Sequence, residues 1–322
     1  MTEPLLTVDK LKKCFPVTKG VLFERNIGQV NAVDEIDFTI CPGETFGLVG
    51  ESGCGKTTTA MLILQLLTPT SGAIWFEGEN VTGLSSRKLK NYRRSVQAMF
   101  QDPYSSLSPR MRVGNIIAEP LIVNGIMDNK MIKDRVMEAI SQVDLGRGAT
   151  ELYPHEFSGG QRQRIALAQA LVLKPKLVVL DEPVSALDVS ISAQMMNLLK
   201  DLQESLGVAY LLIAHNLATV RYMSHWVGVM YLGKIVELAI GEELFTHPLH
   251  PYTHALLSAA LPSHPDVHRE KIILPGEVPS PVNIPPGCCF HPRCFRAKEN
   301  CSKEQPVLEE VNRQHFVACH ES

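Results

Sequence analysis

Runs of consecutive apolar residues mark three strands that are expected to be buried on both faces. They are Thr45–Val49, Leu177–Leu180 and Val208–Ile213, and stretches with helical periodicity separate them. Continuous apolar runs of this length are typical of parallel strands whose two faces are covered by helices. The pattern therefore predicts an α/β fold built on a parallel sheet.

Other patterns predict the elements around that sheet. Val30–Ile40 and Ala73–Glu77 alternate or run apolar, which favours an antiparallel sheet. Residues 226–238 form two apolar runs separated by a glycine-containing turn, which is typical of a hairpin. Residues 102–157 are mostly helical in pattern, and Ile132–Ile140 has an amphipathic period.

A glycine-rich segment joins the first apolar run to a predicted helix over Thr57–Leu67. It reads Gly50-Glu-Ser-Gly-Cys-Gly-Lys-Thr57 and fits the pattern G-x-x-x-x-G-K-[ST]. Such glycines let the backbone turn around a phosphate, and the dipole of the following helix favours the anion. Lys56 is predicted to reach the β- and γ-phosphates of ATP, and Thr57 to offer its hydroxyl to magnesium. The alternative, a glycine-rich turn with a chance lysine, is disfavoured by the strand and helix on either side. The predicted nucleotide-binding residues here are Gly50, Glu51, Ser52, Gly53, Cys54, Gly55, Lys56, Thr57 and Thr58.

A second helix start carries the same kind of signal. Phe157-Ser-Gly-Gly-Gln161 precedes a helical stretch predicted over Gln161–Leu173, so its N–H groups form another potential phosphate site. One nucleotide site does not need two such helix starts, which suggests that the second one binds ATP held by another chain. The alternative is an ordinary Ser-capped helix. The residues predicted to act across that interface are Ser158, Gly159, Gly160 and Gln161.

Polar residues at the ends of the apolar runs supply the remaining phosphate chemistry. Asp181 ends the second run, where a carboxylate can hold magnesium directly or through water. The adjacent Glu182 is predicted to orient or deprotonate the attacking water. His215 follows the third run as a γ-phosphate sensor, and Gln101 follows a short apolar run as a contact to metal or water. An acidic pair or a lone histidine means little alone, so these predictions depend on the combination.

The combined motifs resemble the ATP-binding subunit of an ABC transporter. Residues 50–57 match the Walker A motif, residues 157–161 the signature and residues 177–181 the Walker B motif. Gln101 matches the Q-loop, Ser185–Asp188 the D-loop and His215 the switch histidine, while Phe15 resembles the aromatic that stacks on adenine. Two positions depart from the family pattern, Phe157 in place of leucine and Asn216 in place of aspartate. Over about residues 5–245, the resemblance implies a RecA-like parallel sheet core, an antiparallel β subdomain and a helical subdomain that carries the signature.

Size and charge narrow the possible partners. The chain has 322 residues, a net charge of −3 and a pI near 6.4, so there is no electrostatic case for binding nucleic acid. No apolar run approaches the roughly 20 residues needed to cross a bilayer, and the N-terminus lacks the features of a signal peptide. We therefore expect a peripheral protein on the cytoplasmic face of the inner membrane, held there by its partners.

The composition changes after Thr246, which predicts an ATP-binding domain over 1–246 and a C-terminal extension over 247–322. A short helix is predicted over Ala255–Ala260, and seven prolines between 262 and 286 then favour an extended strap. Five of the eight cysteines lie in the last 35 residues, and clustered thiols in a cytosolic chain suggest metal, as iron–sulfur or zinc. The cysteines concerned are Cys288, Cys289, Cys294, Cys301 and Cys319.

This tail resembles the C-terminal extension of peptide-importer ATPases. The matching segments are Gly276–Pro281, Gly287–Cys294 and Val317–His320, with Cys301 between them. The resemblance implies a 4Fe–4S cluster held by Cys288, Cys294, Cys301 and Cys319, with zinc as the alternative. The sequence leaves open whether Cys289 takes the place of Cys288. Because the ATP motifs end near His215, we expect this cluster to lie away from hydrolysis.

The resemblance implies an ATP-hydrolysing, energy-coupling subunit of an importer for dipeptides or oligopeptides. Relatives in the same group import nickel or glutathione, which remain alternatives. The implied partners are a second, homologous ATPase, two transmembrane permease subunits contacted through Asp102–Pro109, and indirectly an extracytoplasmic substrate-binding protein.

Two other classes of protein fit the sequence less well. A soluble ABC ATPase acting on DNA or ribosomes usually has a long coiled coil or two fused ATPase domains, and a small-molecule P-loop kinase would leave Ser158–Gln161 and Ser185–Asp188 without a role.

Overall fold

The computed structural model describes residues 3–19, 25–100, 107–125, 128–185, 187–259 and 271–321. Within these ranges the strands are β1 Leu6–Lys19, β2 Arg25–Ile40, β3 Thr45–Val49, β4 Ser71–Phe76, β5 Glu79–Asn80, β6 Val96–Met99, β7 Leu177–Asp181, β8 Ala209–Ile213, β9 Trp226–Tyr231, β10 Lys234–Ile240, β11 Glu309–Asn312 and β12 His315–Val317. The helices are α1 Lys56–Ile63, α2 Ser86–Ser95, α3 Val113–Val123, α4 Asn129–Gln142, α5 Gly159–Leu171, α6 Val189–Leu206, α7 Leu217–Met223, α8 Gly241–Thr246 and α9 Pro251–Ala259.

One of two compact units comprises Met1–Glu3, Ile40–Thr45 and Gly83–Ala214. In it β6, β7 and β8 are parallel neighbours, with Leu177 opposite Val96 on one side and Ala209 on the other. Every residue of β7 and β8 is buried, as the continuous apolar runs predict. Helices α3, α4 and α5 pack on one another, which agrees with the predicted helical subdomain.

The other unit comprises Pro4–Thr39, Phe46–Thr82 and His215–Ser322. Strand β3 pairs in parallel with β9, and β9, β10, β12 and β11 continue as antiparallel neighbours. A separate four-stranded sheet has the order β2-β1-β4-β5. The predicted antiparallel sheet and the predicted hairpin, now β9 and β10, are therefore both present.

Helix α1 is shorter than its apolar pattern predicts. It ends at Ile63 instead of Leu67 because Gln65 adopts a left-handed conformation with φ of 53°. A residue in that conformation stops the helical hydrogen-bond ladder. The side-chain amide of Gln65 donates to the carbonyl of Leu62 over 3.0 Å, which satisfies one of the last carbonyls of the helix.

The tail contains two strands, β11 and β12, in addition to the predicted extended proline-rich segment. Its β12 pairs with β10, so that Val317 lies opposite Glu237, and neither β11 nor β12 is predicted by the sequence pattern. The proline-rich segment has neither helix nor strand from Lys271 onward, as expected, and prolines 262 and 265 lie outside the described residues. Among the helices that the structure describes, none has the length and apolar character that a bilayer crossing requires.

Candidate functional site

The glycine-rich segment, hereafter the P-loop (residues 50–57), connects buried strand β3 to helix α1. Gly55 has φ of 113°, and a Cβ atom there would lie 2.1 Å from the carbonyl oxygen of Ala32. Only glycine fits that position, because both the conformation and the space exclude a side chain. Ser52, Gly53 and Thr57 are exposed on this loop and the first turn of α1, where they are open to a ligand.

Lys56 is a buried cation whose charge is satisfied by the loop itself. Its ammonium donates to the carbonyls of Gly50 and Glu51 over 2.8 and 2.9 Å. The thiol of Cys54 lies 3.6 Å away, and burial raises the pKa of that thiol, so it is neutral at pH 7. A buried ammonium that faces carbonyl oxygens is prepared to bind phosphate oxygens, which are stronger acceptors because they are charged.

Two residues of the C-terminal tail contact the P-loop at Glu51. The guanidinium of Arg293 donates to both carboxylate oxygens of Glu51, over 2.8 and 3.1 Å. The hydroxyl of Tyr252 accepts the backbone N–H of Glu51 over 2.8 Å. Arg293 immediately precedes Cys294, so the segment that carries the tail cysteines contacts the P-loop through this side chain. Arg293 lies in the Gly287–Cys294 segment of the tail resemblance, but no local signal in the sequence indicates that Arg293 or Tyr252 contacts the P-loop.

The second predicted phosphate site begins helix α5. The Ser158 hydroxyl accepts the N–H of Gln161 over 3.4 Å, and the Gln161 side chain accepts the N–H of Ser158 over 3.0 Å. This capping box satisfies two N–H groups within the helix itself. Gly160 is required by packing, since a Cβ atom there would lie 2.5 Å from Ile191. For Gly159, the nearest atom among the residues that the structure describes is a Leu187 methyl at 3.8 Å.

Asp181 and Glu182 lie at the end of β7, where the sequence places them, and the backbone of Glu182 has a conformation that the sequence does not indicate. Asp181 is the buried last residue of β7. Glu182 has φ of 51°, a left-handed conformation that costs a non-glycine residue of order 1 kcal/mol or more. Its N–H donates to the carbonyl of Ile213 over 2.8 Å, and its own carbonyl accepts from the Ser185 hydroxyl over 3.2 Å. Both interactions hold the backbone of Glu182 in place.

Several predicted residues lie at helix starts or on strands. Asp188 caps α6 by accepting the N–H of Ile191 over 2.9 Å, and Asn216 caps α7 by accepting the N–H of Ala218 over 2.9 Å. Asn216 therefore performs a local structural role at the position where aspartate is the family pattern. His215 is exposed after β8.

Phe15 is half-buried on β1, and the ammonium of Lys13 lies 5.1 Å from the centre of its ring. The same face of the ring can stack on a base or hold a cation. Gln101, residues 102–106 of the predicted permease contact and Ala186 of the D-loop lie outside the described residues.

Four tail cysteines line one small cavity, namely Cys288, Cys294, Cys301 and Cys319. Burial, with smaller contributions from neighbouring Cys301, Cys319 and Cys294, raises the pKa of Cys288 to about 11. Cys289 faces elsewhere, beside Lys234 and Asp34 in a separate groove, and burial raises its pKa to about 12. Across the ranges that the structure describes, no three or more His, Cys, Asp or Glu side chains are drawn together as a metal-coordinating group.

The predicted residues divide between the two compact units. The P-loop, the four cysteines and His215 belong to one unit, and Asp181, Glu182 and the helix start at Ser158 belong to the other.

Family models match both parts of the chain. The model for "ABC transporter" matches residues 33–185, and the model for "Oligopeptide/dipeptide transporter, C-terminal region" matches residues 236–301. The first match includes the P-loop, the α5 start and the acidic pair. The second includes Arg293 and the first four tail cysteines.

Curated relatives match over nearly the full length. The chain is 48% identical over 321 residues to the oligopeptide transport ATP-binding protein AppF of Bacillus subtilis, covering 99% of this chain and 97% of the relative. It is 45% identical over 316 residues to the dipeptide transport ATP-binding protein DppF of Haemophilus influenzae, covering 98% and 96%.

Solved structures share the fold. The ATP-binding cassette MJ0796, determined as a dimer in a post-hydrolysis state with ADP and Pi, aligns with a TM-score of 0.64 and 25% identity, over 73% of this chain and 98% of that one. The cbiO1 protein of Clostridium perfringens, part of the ABC transporter complex cbiONQ, aligns with a TM-score of 0.66 and 27% identity, over 76% and 91%.

Proposed function

The chain belongs to the ABC transporter ATP-binding proteins that carry an oligopeptide/dipeptide transporter C-terminal region, and from this membership we propose that it is the ATP-hydrolysing, energy-coupling subunit of an importer for dipeptides or oligopeptides. One observation carries the proposal. The 48% identity to a named oligopeptide transport ATP-binding protein extends over 99% of the chain and so includes the ATP motifs and the tail together.

ATP binds at the P-loop in this proposal. Lys56 exchanges its contacts with the carbonyls of Gly50 and Glu51 for phosphate oxygens, and the N–H groups at the start of α1 face the same anion. Phe15 stacks on the adenine. The other residues proposed to contact the nucleotide are Gly50, Glu51, Ser52, Gly53, Cys54, Gly55, Thr57 and Thr58.

Magnesium would be held by the hydroxyl of Thr57 and by Asp181, directly or through water, together with Gln101. The residues fit the ion, since oxygen donors are what magnesium prefers and Asp181 is a buried carboxylate at a strand end. When bound, the ion neutralises charge that develops on the phosphates.

Glu182 orients and deprotonates the attacking water, with His215 as the sensor of the γ-phosphate. The left-handed backbone at Glu182 supports this role, because strained backbone persists where surrounding contacts fix it and is concentrated at functional sites. The bond from its N–H to Ile213 fixes the base of the side chain.

The α5 start completes the site of a second ATPase chain. Ser158, Gly159, Gly160 and Gln161 are the residues proposed to act in that way. The space at Gly159 supports the proposal, because packing among the described residues does not account for glycine there and a close approach by a phosphate does. The dimeric ABC cassette MJ0796 resembles this chain in fold and supports a pair of ATPase chains, which this proposal arranges head to tail. The partner in this proposal is a homologous ATPase.

The remaining partners follow from the importer assignment. We place the chain peripherally on the cytoplasmic face of the inner membrane, on two permease subunits that receive an extracytoplasmic binding protein. Residues 102–109 are the proposed permease contact. The domain division proposed with this function is 1–246 for the ATPase and 247–322 for the tail.

The tail cysteines fit a thiolate-bound 4Fe–4S cluster as a donor set. Cys288, Cys294, Cys301 and Cys319 line one cavity, and four thiolates bind iron–sulfur clusters or zinc. Cys289 is the spare thiol because it lies in a different groove. The cluster would supply structural order or a redox response to the tail.

Affinity purification from detergent-solubilised membranes tests the importer function. Two permease chains, a second ATPase and a bound peptide in the purified complex are the expected result, and loss of this chain should abolish dipeptide or oligopeptide uptake. Bound nickel or glutathione would instead assign the cargo to the other members of the group. Association with ribosomes or DNA and no permease would contradict the proposal.

A further inference from the structure

An ion pair to which the proposed function gives no role joins the tail to the P-loop. Arg293 and Glu51 form a two-pronged ion pair between residues 242 positions apart in the sequence. The Arg293 side chain is 9% exposed and that of Glu51 29% exposed. The Glu51 carboxylate raises the pKa of Arg293, so the guanidinium keeps its charge at any physiological pH. Such bidentate pairs fix geometry as well as adding energy.

Glu51 is held at three separate points. Its N–H is bound by Tyr252, its carboxylate by Arg293, and its carbonyl by the ammonium of Lys56. The third point matters for ATP because Lys56 is the cation proposed to move to the phosphates. The two tail residues therefore place the acceptor that positions Lys56.

Arg293 is itself supported by the buried centre of the tail. Phe290 is 1% exposed and its ring lies 5.2 Å from Tyr231 and 5.4 Å from Tyr252 between ring centres. The N–H of Arg293 donates to the carbonyl of Phe290 over 3.0 Å.

The cysteines next to Arg293 in the tail also help to hold this residue in place. The N–H of Cys288 donates to the carbonyl of Cys301 over 2.8 Å, so the chain around Arg293 is tied across the cysteine cavity. Displacement of these residues would move the guanidinium away from Glu51.

We propose that Arg293 is a positioning residue for ATP, which holds Glu51 and thereby the P-loop in the geometry that binds phosphate. This inference rests on the proposed function, because it assigns the C-terminal extension a direct part in nucleotide affinity. The extension thus completes the ATP site of its own chain. A purely structural ion pair would contribute to stability and leave nucleotide affinity unchanged.

The test is a double-mutant cycle on the purified full-length chain, with magnesium and the non-hydrolysable analogue AMP-PNP as the probe. Arg293→Gln and Glu51→Gln should each weaken binding by about tenfold, and the double variant should be no weaker than either single variant. Lys303→Ala is the matched control, because it removes an exposed tail cation paired with Glu299 and should bind as the parent does. Hydrogen exchange at the P-loop amides should quicken in Arg293→Gln and not in Lys303→Ala.

Parental affinity in both single variants, or effects that add in the double variant, would overturn the inference. If Arg293→Gln fails to fold, the affinities of Glu51→Gln and Arg293→Lys test the inference instead, because each variant retains the buried centre of the tail. Parental affinity in both of these variants would equally overturn the inference. In the assembled transporter, Arg293→Lys should raise the KM for ATP with kcat changed less than about twofold. Lys56→Ala distinguishes failure of the proposed function from failure of the inference about Arg293. Normal binding by Lys56→Ala would contradict the proposed function itself, whereas loss of binding there with normal binding in Glu51→Gln and Arg293→Lys contradicts only the role of Arg293.

Discussion

The carboxylate of Glu237 on β10 accepts a hydrogen bond from Nε2 of His315 on β12 over 2.7 Å, and neither side chain is exposed. The same carboxylate accepts the N–H groups of Leu249 and His250 over 2.7 and 3.0 Å. The buried carboxylate of Glu237 on β10 is therefore hydrogen-bonded both to the segment just before α9 and to β12. Buried charges of this kind are tolerated only when their partners are complete.

His315→Ala should destabilise the folded chain by about 3 kcal/mol, because it leaves a buried carboxylate with one partner fewer. A urea unfolding curve measures the loss. His247→Ala is the control, since His247 pairs with Glu243 at the surface over 3.4 Å and should cost less than about 1 kcal/mol. Equal effects of the two substitutions would show that Glu237 does not depend on His315.

Glu182→Gln should lower ATP hydrolysis by the assembled transporter at least about 100-fold while ATP binding remains, because the amide keeps the shape of the side chain and cannot accept a proton. The variant should also accumulate the closed ATPase pair. Turnover and nucleotide retention measured on the same preparation check both outcomes. Hydrolysis near the parental rate would remove Glu182 from the role of base.

Ser158→Arg should leave ATP binding by the isolated chain intact and block hydrolysis in the complex, because Ser158 is proposed to face a partner's phosphates. Loss of the helix cap accounts for part of any effect, at about 1 kcal/mol. Ser158→Ala loses the same cap without adding bulk or charge, so it should hydrolyse ATP faster than Ser158→Arg. Loss of ATP binding by the isolated Ser158→Arg chain would place Ser158 in the site of its own chain.

Cys294→Ser or Cys301→Ser should remove the brown colour and the iron from anaerobically purified protein, which should otherwise contain about four irons per chain. Cys289→Ser is the control and should keep both, because Cys289 does not line the cavity that the other four tail cysteines share. Metal analysis and visible absorption give the result. Stoichiometric zinc without iron would replace the cluster by a zinc site, and the absence of any metal would contradict both.

The ATP motifs were predictable because their signals are local. Strand β3, the P-loop and α1 are adjacent in sequence, and β7 is a continuous apolar run that ends in Asp181. The same local reasoning overestimated α1, since apolar residues continue to Leu67 and nothing in the pattern indicates the left-handed Gln65.

The contacts of the tail were not predictable in the same way. Arg293 lies between a proline and a cysteine, and its partner Glu51 is 242 positions away, so no periodicity connects them. Cys288 and Cys289 are consecutive in sequence, and the folded backbone alone directs one thiol to the cavity and the other away. Such choices depend on tertiary packing, which a local pattern does not contain.

The distance in sequence between Glu51 and Arg293 has a consequence for synthesis. At about 5–20 residues per second, the ribosome takes roughly 12 to 48 s to add the 242 residues that separate them. A nascent or prematurely terminated chain thus carries every phosphate-binding motif before its P-loop is fastened. If nucleotide affinity depends on that fastening, a chain that lacks the tail binds ATP more weakly than the finished chain.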